Sequence, residues 1–579
     1  MSPANDRKTT GPTIPISQEI HRSKYRLTGE SFEDCCYRLS STLSDSDAHR
    51  HQLSDILLGQ RFMPAGRVQA AIGAPLKITP WNCFVSGTIA DDFNDIMEKA
   101  KEAGHTMRLG GGIGYDFSTL RPRGSLIKSL NSYSSGPVSF MDIYDSICGT
   151  IASAGHRRGA QMGVLRVDHP DIEEFIHAKR NDHKLTRFNI SVGITDDFMS
   201  AVKSGSDFNL KFRGRVYKRV SAQALWDSIM RSTWDWAEPG VLFIDRINEW
   251  NNLSYVETIS ATNPCGEQPL PAYGACLLGS FNLVKYVKAN HLEFDTGQFR
   301  QDINAVVRAM DNIIDIGAYP LPQQEQEGKS KRRMGLGVTG LANALECMGL
   351  PYGSPDFILM MNQILEVLRD TAYRTSIELA AEKGPFPLYD KRYLESKFIG
   401  TLGTDIVDDI RRHGIRNSHL LSIAPTGTIS LAADNISSGI EPVYTYSYTR
   451  TINTEEGVKH EDVEDYGYRV WGIKGRTANQ LTVEEHVKVL TNSQRFVDSS
   501  VSKTCNVGPD VDWERFKSVY MLAYDGGAKG VSTFRAAGLR KGVLNERQSE
   551  PVTEKEYISD DDTVEVCHID PKTGQPSCT

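Results

Sequence analysis

Apolar residues recur along this chain with two different periods. In SAQALWDSIMRSTWDWA (221–237) and PDFILMMNQILEVLRDTAYRTSIELAAEKG (355–384) they return every three or four positions, which predicts helices with one buried face. Short apolar runs, QMGVLRV (161–167), FNISVGI (188–194), GVLFI (240–244) and HLLSIA (419–424), predict buried strands. Residues 17 to 60 read as mostly helical and polar, and Pro64 and Gly66 in FMPAGR (62–67) end that pattern. Beyond it, strand and helix patterns alternate over about 450 residues, which predicts a large α/β domain, a barrel or an open sheet. We therefore expect a mostly helical segment over 1–60, a catalytic-sized α/β domain over 61–543, and a flexible tail over 544–579. The tail is acidic and poor in apolar residues, NERQSEPVTEKEYISDDDTVEV, and closes with CHIDPKTGQPSCT.

Composition narrows the classes without choosing among them. The 579 residues are 39% hydrophobic and 24% charged, ordinary for a chain that buries a large core. A formal charge of -8, with no long basic run, argues against nucleic acid as a partner. No apolar run approaches the roughly 20 residues of a membrane span, so no membrane partner is expected. The first residues, MSPANDRKTTGPTIPISQEI, lack the features of an export or transit signal, which predicts a cytoplasmic protein. Ten cysteines without paired C-x-x-C sets predict neither a disulfide scaffold nor a metal site.

The chemistry concentrates in NPCGEQPLPAYGACLLGSFNL (263–283). If the segment is extended, Asn263, Cys265 and Glu267 share one face, setting an amide, a thiol and a carboxylate side by side. The amide could hold a hydroxyl and the carboxylate could take its proton; the alternative is a structural cysteine in a turn between Pro264 and Gly266. A second stretch, HLLSIAPTGTISLAAD (419–434), reads as strand, turn and helix start. Its free backbone N–H groups beside Thr426, Thr428 and Ser430 suit a diphosphate or triphosphate, although P-T-G-T alone would be an ordinary turn. LGGGIG (109–114) offers backbone without side chains, where a ligand could come close.

N-P-C-G-E followed by A-C-L-L-G-S-F-N-L resembles the catalytic strand and finger loop of ribonucleotide reductases. Other blocks agree in order: MPAGRVQAA, WNCFVSGTI, GGGIGYDFSTLRPRG, AGHRRGAQMGVLRVDHPDIEEFI, LTRFNISVGITDDFM, RRMGLGVTGLANAL and APTGTISLAADNISSGIEP. The resemblance implies a ten-stranded α/β barrel with the radical cysteine on a central finger loop. It implies that Cys265 becomes a thiyl radical that abstracts the 3' hydrogen of a ribonucleotide, that Glu267 accepts the 3' hydroxyl proton and that Asn263 orients the hydroxyls. Cys83 and Cys276 match the pair that delivers two electrons and becomes a disulfide. Cys567 and Cys578 match tail cysteines that reset that disulfide by exchange, passing electrons from a thioredoxin-like or glutaredoxin-like reductant.

The same resemblance implies a substrate site at Asn82, Gly111 and the loop Pro425, Thr426, Gly427, Thr428 and Ile429. It implies a nucleoside triphosphate effector near the interface of a homodimer. The candidate effector contacts are Asp91, Arg121 and the loop SAGHRRGAQ (153–161), with Lys184 and Arg187 in NDHKLTR reporting to the substrate site. The ATP-binding cone of many relatives is not expected here. Relatives fed by a separate metal-radical subunit carry two adjacent tyrosines where AKGVSTFRAAG places Ser532, Thr533 and Phe534, and no glycyl-radical motif is evident. By exclusion and likeness, the resemblance implies adenosylcobalamin as the radical source. Two readings compete: a reductase using a partner radical subunit through Tyr520 or Tyr524, and a catalytically inactive nucleotide-binding regulator.

Overall fold

The computed structural model describes residues 11–151, 160–180, 184–454, 457–508 and 510–535, with the short stretches 545–546, 568–569 and 576–577. The chain is mixed α/β, as its two periodicities predict. The main sheet has eight strands, in the spatial order Ala275–Cys276, Cys83–Val85, Gly112–Asp116, Gln161–Arg166, Phe188–Ile194, Gly240–Phe243, Gly530–Arg535 and Thr504–Val507. Pairing is parallel from Cys83–Val85 through Gly240–Phe243, and antiparallel where Ala275–Cys276 and Gly530–Arg535 join. Parallel neighbours need a crossover, and the helices Phe93–Arg108 and Pro137–Thr150 fill two of them. A second sheet of three strands, Phe62–Pro64, Leu278–Asn282 and Gly335–Thr339, starts two residues after the main sheet's edge strand ends.

The predicted helices form where their ends are chemically marked. Ser221 caps Ala222–Trp236 by accepting from the Ala224 N–H, and Ser354 caps the 29-residue helix Pro355–Lys383, which Gly384 ends. Helices Pro15–Tyr25, Phe32–Leu43 and Asp47–Leu58 occupy the region read as helical. The first packs on the segment after the P-T-G-T turn, where Ile16 and Ile20 join Leu431 and Ala432 in one apolar cluster and the Ser17 hydroxyl donates to the Leu431 carbonyl.

HLLSIA departs from expectation. It is no regular strand, and pairs with its neighbours through the single bridges Leu336 to Leu421 and Ile423 to Val501. The Asp498 carboxylate accepts from the Leu420 N–H at 2.7 Å and the Leu421 N–H at 2.9 Å, so a side chain replaces the ladder partner there. These bridges run from the second sheet across 421–423 to the segment that enters Thr504–Val507. Among the described residues no helix is long and apolar enough to cross a membrane, and no group of three or more His, Cys, Asp or Glu is placed to hold a metal ion.

Candidate active site

The N-P-C-G-E stretch is a hairpin tip and not the extended strand considered from sequence. Ala261–Thr262 pairs antiparallel with Pro269–Leu270, Asn263 and Gln268 continue the pairing, and residues 264–267 turn. The Gly266 N–H donates to the Asn263 carbonyl at 3.1 Å, and Gly266 has φ +80°, a region that favours glycine. Asn263 and Glu267 still flank Cys265, but the turn places them and not a period of two.

The tip lies against the face of the main sheet that carries Cys83. Its apolar flank, Ala261 and Leu270, packs with Cys83, Cys276, Met162, Val164 and Leu242, and Cys265 borders that cluster. Gly114 and Gly112 permit the approach: a Cβ on Gly114 would stand 1.9 Å from the Thr262 carbonyl oxygen, and one on Gly112 would stand 3.1 Å from Cys83 Sγ and 3.4 Å from Pro264 Cγ. Gly111, the glycine singled out from sequence, turns instead toward Phe84 and Thr106. Alternation along a strand is the signal that separates Gly112 and Gly114 from Gly111.

Cys83 and Cys276 are direct cross-strand partners. Opposed residues in an antiparallel pair have Cα atoms about 4.5 to 5.5 Å apart, inside the span a disulfide bridges. Neither of the two is in a disulfide, whereas Cys265 is. Burial, with Cys83 and Glu267 beside it, pushes the Cys276 thiol well above the usual range, so at neutral pH it is a protonated thiol.

Glu267 is fully buried, and burial lifts its carboxyl to about 7. The Asn263 amide draws it partway back down, although no well-aligned hydrogen bond joins them. The Glu267 backbone is anchored: its carbonyl accepts from the Ser422 hydroxyl at 2.9 Å and the Ser500 N–H at 3.0 Å. Ser422 lies in the HLLSIA run and Ser500 outside every motif, and only the tertiary structure reveals that both hold Glu267.

Four candidate residues hold buried polar atoms with no hydrogen-bond partner among the described residues: Asn82 Oδ1, Asn263 Nδ2, both Glu267 carboxyl oxygens and Thr428 Oγ1. Buried polar groups are normally satisfied, so these four orphans are candidate contacts for a polar ligand. The Asn82 backbone is spent in the sheet, its N–H donating to the Cys276 carbonyl and its carbonyl accepting from Gly112. Its side chain is therefore the part left for a ligand.

The Pro425–Ile429 loop follows the segment that anchors Glu267. Thr426 has φ +58° and opens the short helix Gly427–Ala432 without a side-chain cap, so the N–H groups of Gly427, Thr428 and Ile429 have no intrahelical acceptor. The Thr426 hydroxyl is 2.9 Å from the Thr339 hydroxyl and accepts from the Gly439 N–H at 2.6 Å, which fixes the turn.

Beside Cys265 opens a cleft of about 680 Å3, its mouth included. Its walls include Asn189, Ser191, Gly240, Gly266, Gly530 and Ser532. A Cβ on Gly266 would meet nothing nearer than Leu242 at 4.0 Å, so the tip leaves open space on this side. Tyr520 is 2.7 Å from the Thr533 hydroxyl in the core, and Tyr524 donates to Asp196 at 2.8 Å. Thr533 and Ser532 point to opposite faces of their strand, so Tyr520 lies across the sheet from the cleft.

The four candidate effector residues form two ion-paired groups. Arg121 bonds Asp91 at 2.9 Å, and Arg213, from the hairpin joining Asp207–Phe212 to Arg215–Ser221, reaches the same carboxylate at 3.3 Å. Arg187 pairs with Asp145 at 3.4 Å and Lys184 with Asp142 at 3.7 Å, both on Pro137–Thr150. Of SAGHRRGAQ only Ala160 and Gln161 are described, and Cys567 and Cys578 lie outside the described residues.

Residues 81–469 and 473–534 match the family described as "Ribonucleotide reductase, barrel domain". The chain is 34% identical to the vitamin B12-dependent ribonucleoside-diphosphate reductase of Thermoplasma acidophilum, over 95% of this chain and 74% of that one. It is 32% identical to the protein of the same description from Mycobacterium tuberculosis, over 86% and 74%. It is 27% identical to the vitamin B12-dependent ribonucleotide reductase of Streptomyces clavuligerus, over 88% and 62%.

Proposed function

Because this chain belongs to the ribonucleotide reductase family, we propose that it reduces ribonucleoside diphosphates to 2'-deoxyribonucleotides with adenosylcobalamin as its cofactor. The observation that carries this reading is Cys83 opposite Cys276 beneath a hairpin tip that offers Cys265, the orphaned Asn263 amide and the orphaned Glu267 carboxyl. A nucleotide-binding regulator has no use for that set.

Cys265 must enter the reaction reduced, since a sulfur in a disulfide cannot carry the radical. As a thiyl it takes the 3' hydrogen of the ribose and becomes a thiol. Glu267, ionised above about 7, accepts the 3' hydroxyl proton, and Asn263 Nδ2 steadies the oxygen left behind. The 2' hydroxyl takes one proton from the Cys83 and Cys276 pair and leaves as water, and the pair's second hydrogen goes to C2'. Having given up two electrons, the two sulfurs join as a disulfide, Glu267 returns its proton to the 3' oxygen, and Cys265 returns the hydrogen to C3'. Asn82 Oδ1, Thr428 Oγ1 and the N–H groups of Gly427 to Ile429 hold the substrate, the last three at its phosphates.

The cleft beside Cys265 fits the cofactor's adenosyl arm. Gly266 leaves room there, and Ser191 and Ser532 offer hydrogen bonds. The chemistry adenosylcobalamin supplies when bound is an unpaired electron from its cobalt–carbon bond. The chain's own part is to keep Cys265 on that wall. With Phe534 and Thr533 in place of adjacent tyrosines, Tyr520 on the opposite face of the sheet and Tyr524 turned to Asp196, a relay from a partner subunit has no stepping stone beside the cleft among the described residues.

In this reading the main sheet, the strand Gly335–Thr339 and the 421–423 segment form one ten-stranded barrel around the hairpin, with 275–282 counted as a single strand, spanning 61–543 between a helical 1–60 and a tail over 544–579. Cys567 and Cys578 on that tail exchange with the Cys83–Cys276 disulfide and take electrons from a thioredoxin-like or glutaredoxin-like donor in the cytoplasm. A nucleoside triphosphate binds near Asp91 and Arg121 at the interface of a homodimer, and Lys184 and Arg187 relay its identity. Anaerobic turnover of CDP and CTP with dithiothreitol and an effector, with and without adenosylcobalamin, tests the core of this. Deoxynucleotide formed only with the cofactor, and lost in Cys265→Ser, is the expected result. No product with any combination, with no cofactor binding, overturns it.

A further inference from the structure

Besides Ser422 at the Glu267 carbonyl, a side chain from outside the hairpin grips its tip next to Cys265. Asn189, on Phe188–Ile194, donates from Nδ2 to the Pro264 carbonyl at 3.0 Å, and that carbonyl belongs to the peptide group whose nitrogen is Cys265. The bonds within the tip, between Asn263 and Gln268 and between Asn263 and Gly266, fix the shape of the turn but not its placement against the sheet. Ser422 and Ser500 place its far end at the Glu267 carbonyl, and the bond from Asn189 places the peptide group that carries Cys265. Asn189 is itself bracketed by one ion pair: Lys179 meets Glu238 at 2.6 Å with both side chains nearly buried. The Lys179 ammonium donates to the carbonyl of Phe188, and Glu238 Oε1 accepts from the N–H of Ile190 at 3.0 Å. The peptide groups on both sides of Asn189 are thus held by the same pair.

We infer that Asn189 is a positioning residue for the radical-bearing thiol, setting the direction of Cys265 through the Pro264 carbonyl, with the Lys179–Glu238 pair holding Asn189 in place. This rests on the role proposed for Cys265. Hydrogen-atom transfer requires the sulfur within a narrow range of distance and angle to its partners, and a displacement of about 1 Å costs on the order of a hundredfold in rate.

Two variants test it. Asn189→Ala removes the donor; kcat should fall by roughly ten- to a hundredfold, with the substrate KM little changed. In the reduced, cofactor-free protein, alkylation of Cys265 followed by mass spectrometry should become severalfold faster as the tip loosens. Asn189→Asp turns an ionised carboxylate toward the Pro264 carbonyl, which repels it, whereas a protonated carboxyl donates to it. Charged groups near position 189 are already paired, Lys179 with Glu238 and Lys503 with Glu441. The kcat of Asn189→Asp relative to wild type should therefore rise as pH is lowered, while the ratio for Asn189→Ala stays flat. Should Asn189→Ala fail to fold, the pH-dependent ratio of Asn189→Asp still decides. Wild-type turnover with an unchanged kcat in Asn189→Ala, or a flat ratio for Asn189→Asp, overturns the positioning role alone. A wild-type chain with no turnover overturns the reading beneath it.

Discussion

Replacing Glu267 by glutamine should make this protein more stable and less active, with the stability gain growing as pH rises. Glu267 is fully buried, neither carboxyl oxygen has a hydrogen-bond partner among the described residues, and burial moves its pKa from 4.5 to about 7. A folded-state value above the unfolded one means the native state holds its proton more tightly. The associated stability is fully present below about 4.5 and is lost as pH climbs through about 7. At about 1.4 kcal/mol per pH unit, the loss across that window is roughly 3 kcal/mol. Glutamine has the same shape and does not titrate, so the difference between variant and wild type isolates the ionisation from any constant cost of a buried amide. For 579 residues the unfolding entropy is about 1.2 kcal/mol per kelvin, so the melting temperatures should diverge by about 2 to 3 °C between mildly acid and mildly alkaline buffer. Thermal scans without nucleotide, at steps of pH, measure this. A divergence of opposite sign, or none, refutes the buried unpaired carboxyl. The same substitution should lower kcat by about 10² to 10⁴ through loss of the base, and wild-type kcat/KM should rise with an apparent pKa near 7.

Two further outcomes follow from pairs of contacts. In a single anaerobic turnover without external reductant, wild type should convert two thiols, mapped to Cys83 and Cys276, into a disulfide; Cys276→Ser should form neither that bond nor deoxynucleotide. Product from Cys276→Ser at the wild-type level would remove this pair as the reductant. Lys503→Met should destabilise the fold by about 3 to 5 kcal/mol, because it leaves the buried Glu441 carboxylate, 2.7 Å from the Lys503 ammonium, without its counter-charge. Denaturant titration should find the double variant Lys503→Met with Glu441→Gln less destabilised than Lys503→Met alone, and equal losses would contradict the pairing.

The short-range features of this chain were legible from its sequence. Apolar period and capping serines place the helices 222–236 and 355–383, with a stop glycine at the end of the second, and the identities of Asn263, Cys265, Glu267, Cys83 and Cys276 with their flanking motifs carry the chemistry. These depend on neighbours within a few residues, which local periodicity and turn propensity report.

What pairs across long separations was decided only by the fold. Cys83 and Cys276 meet because two strands align in register, and no local pattern encodes that alignment. HLLSIA has the composition of a strand, but Asp498, far along the chain, takes the N–H groups of Leu420 and Leu421. Asn263 and Glu267 flank Cys265 through a turn that Gly266 makes at positive φ, where a period of two had suggested an extended segment. The proton affinity of Glu267 and the grip of Asn189 on Pro264 arise from burial and approach, which exist only once distant segments have displaced water from between them.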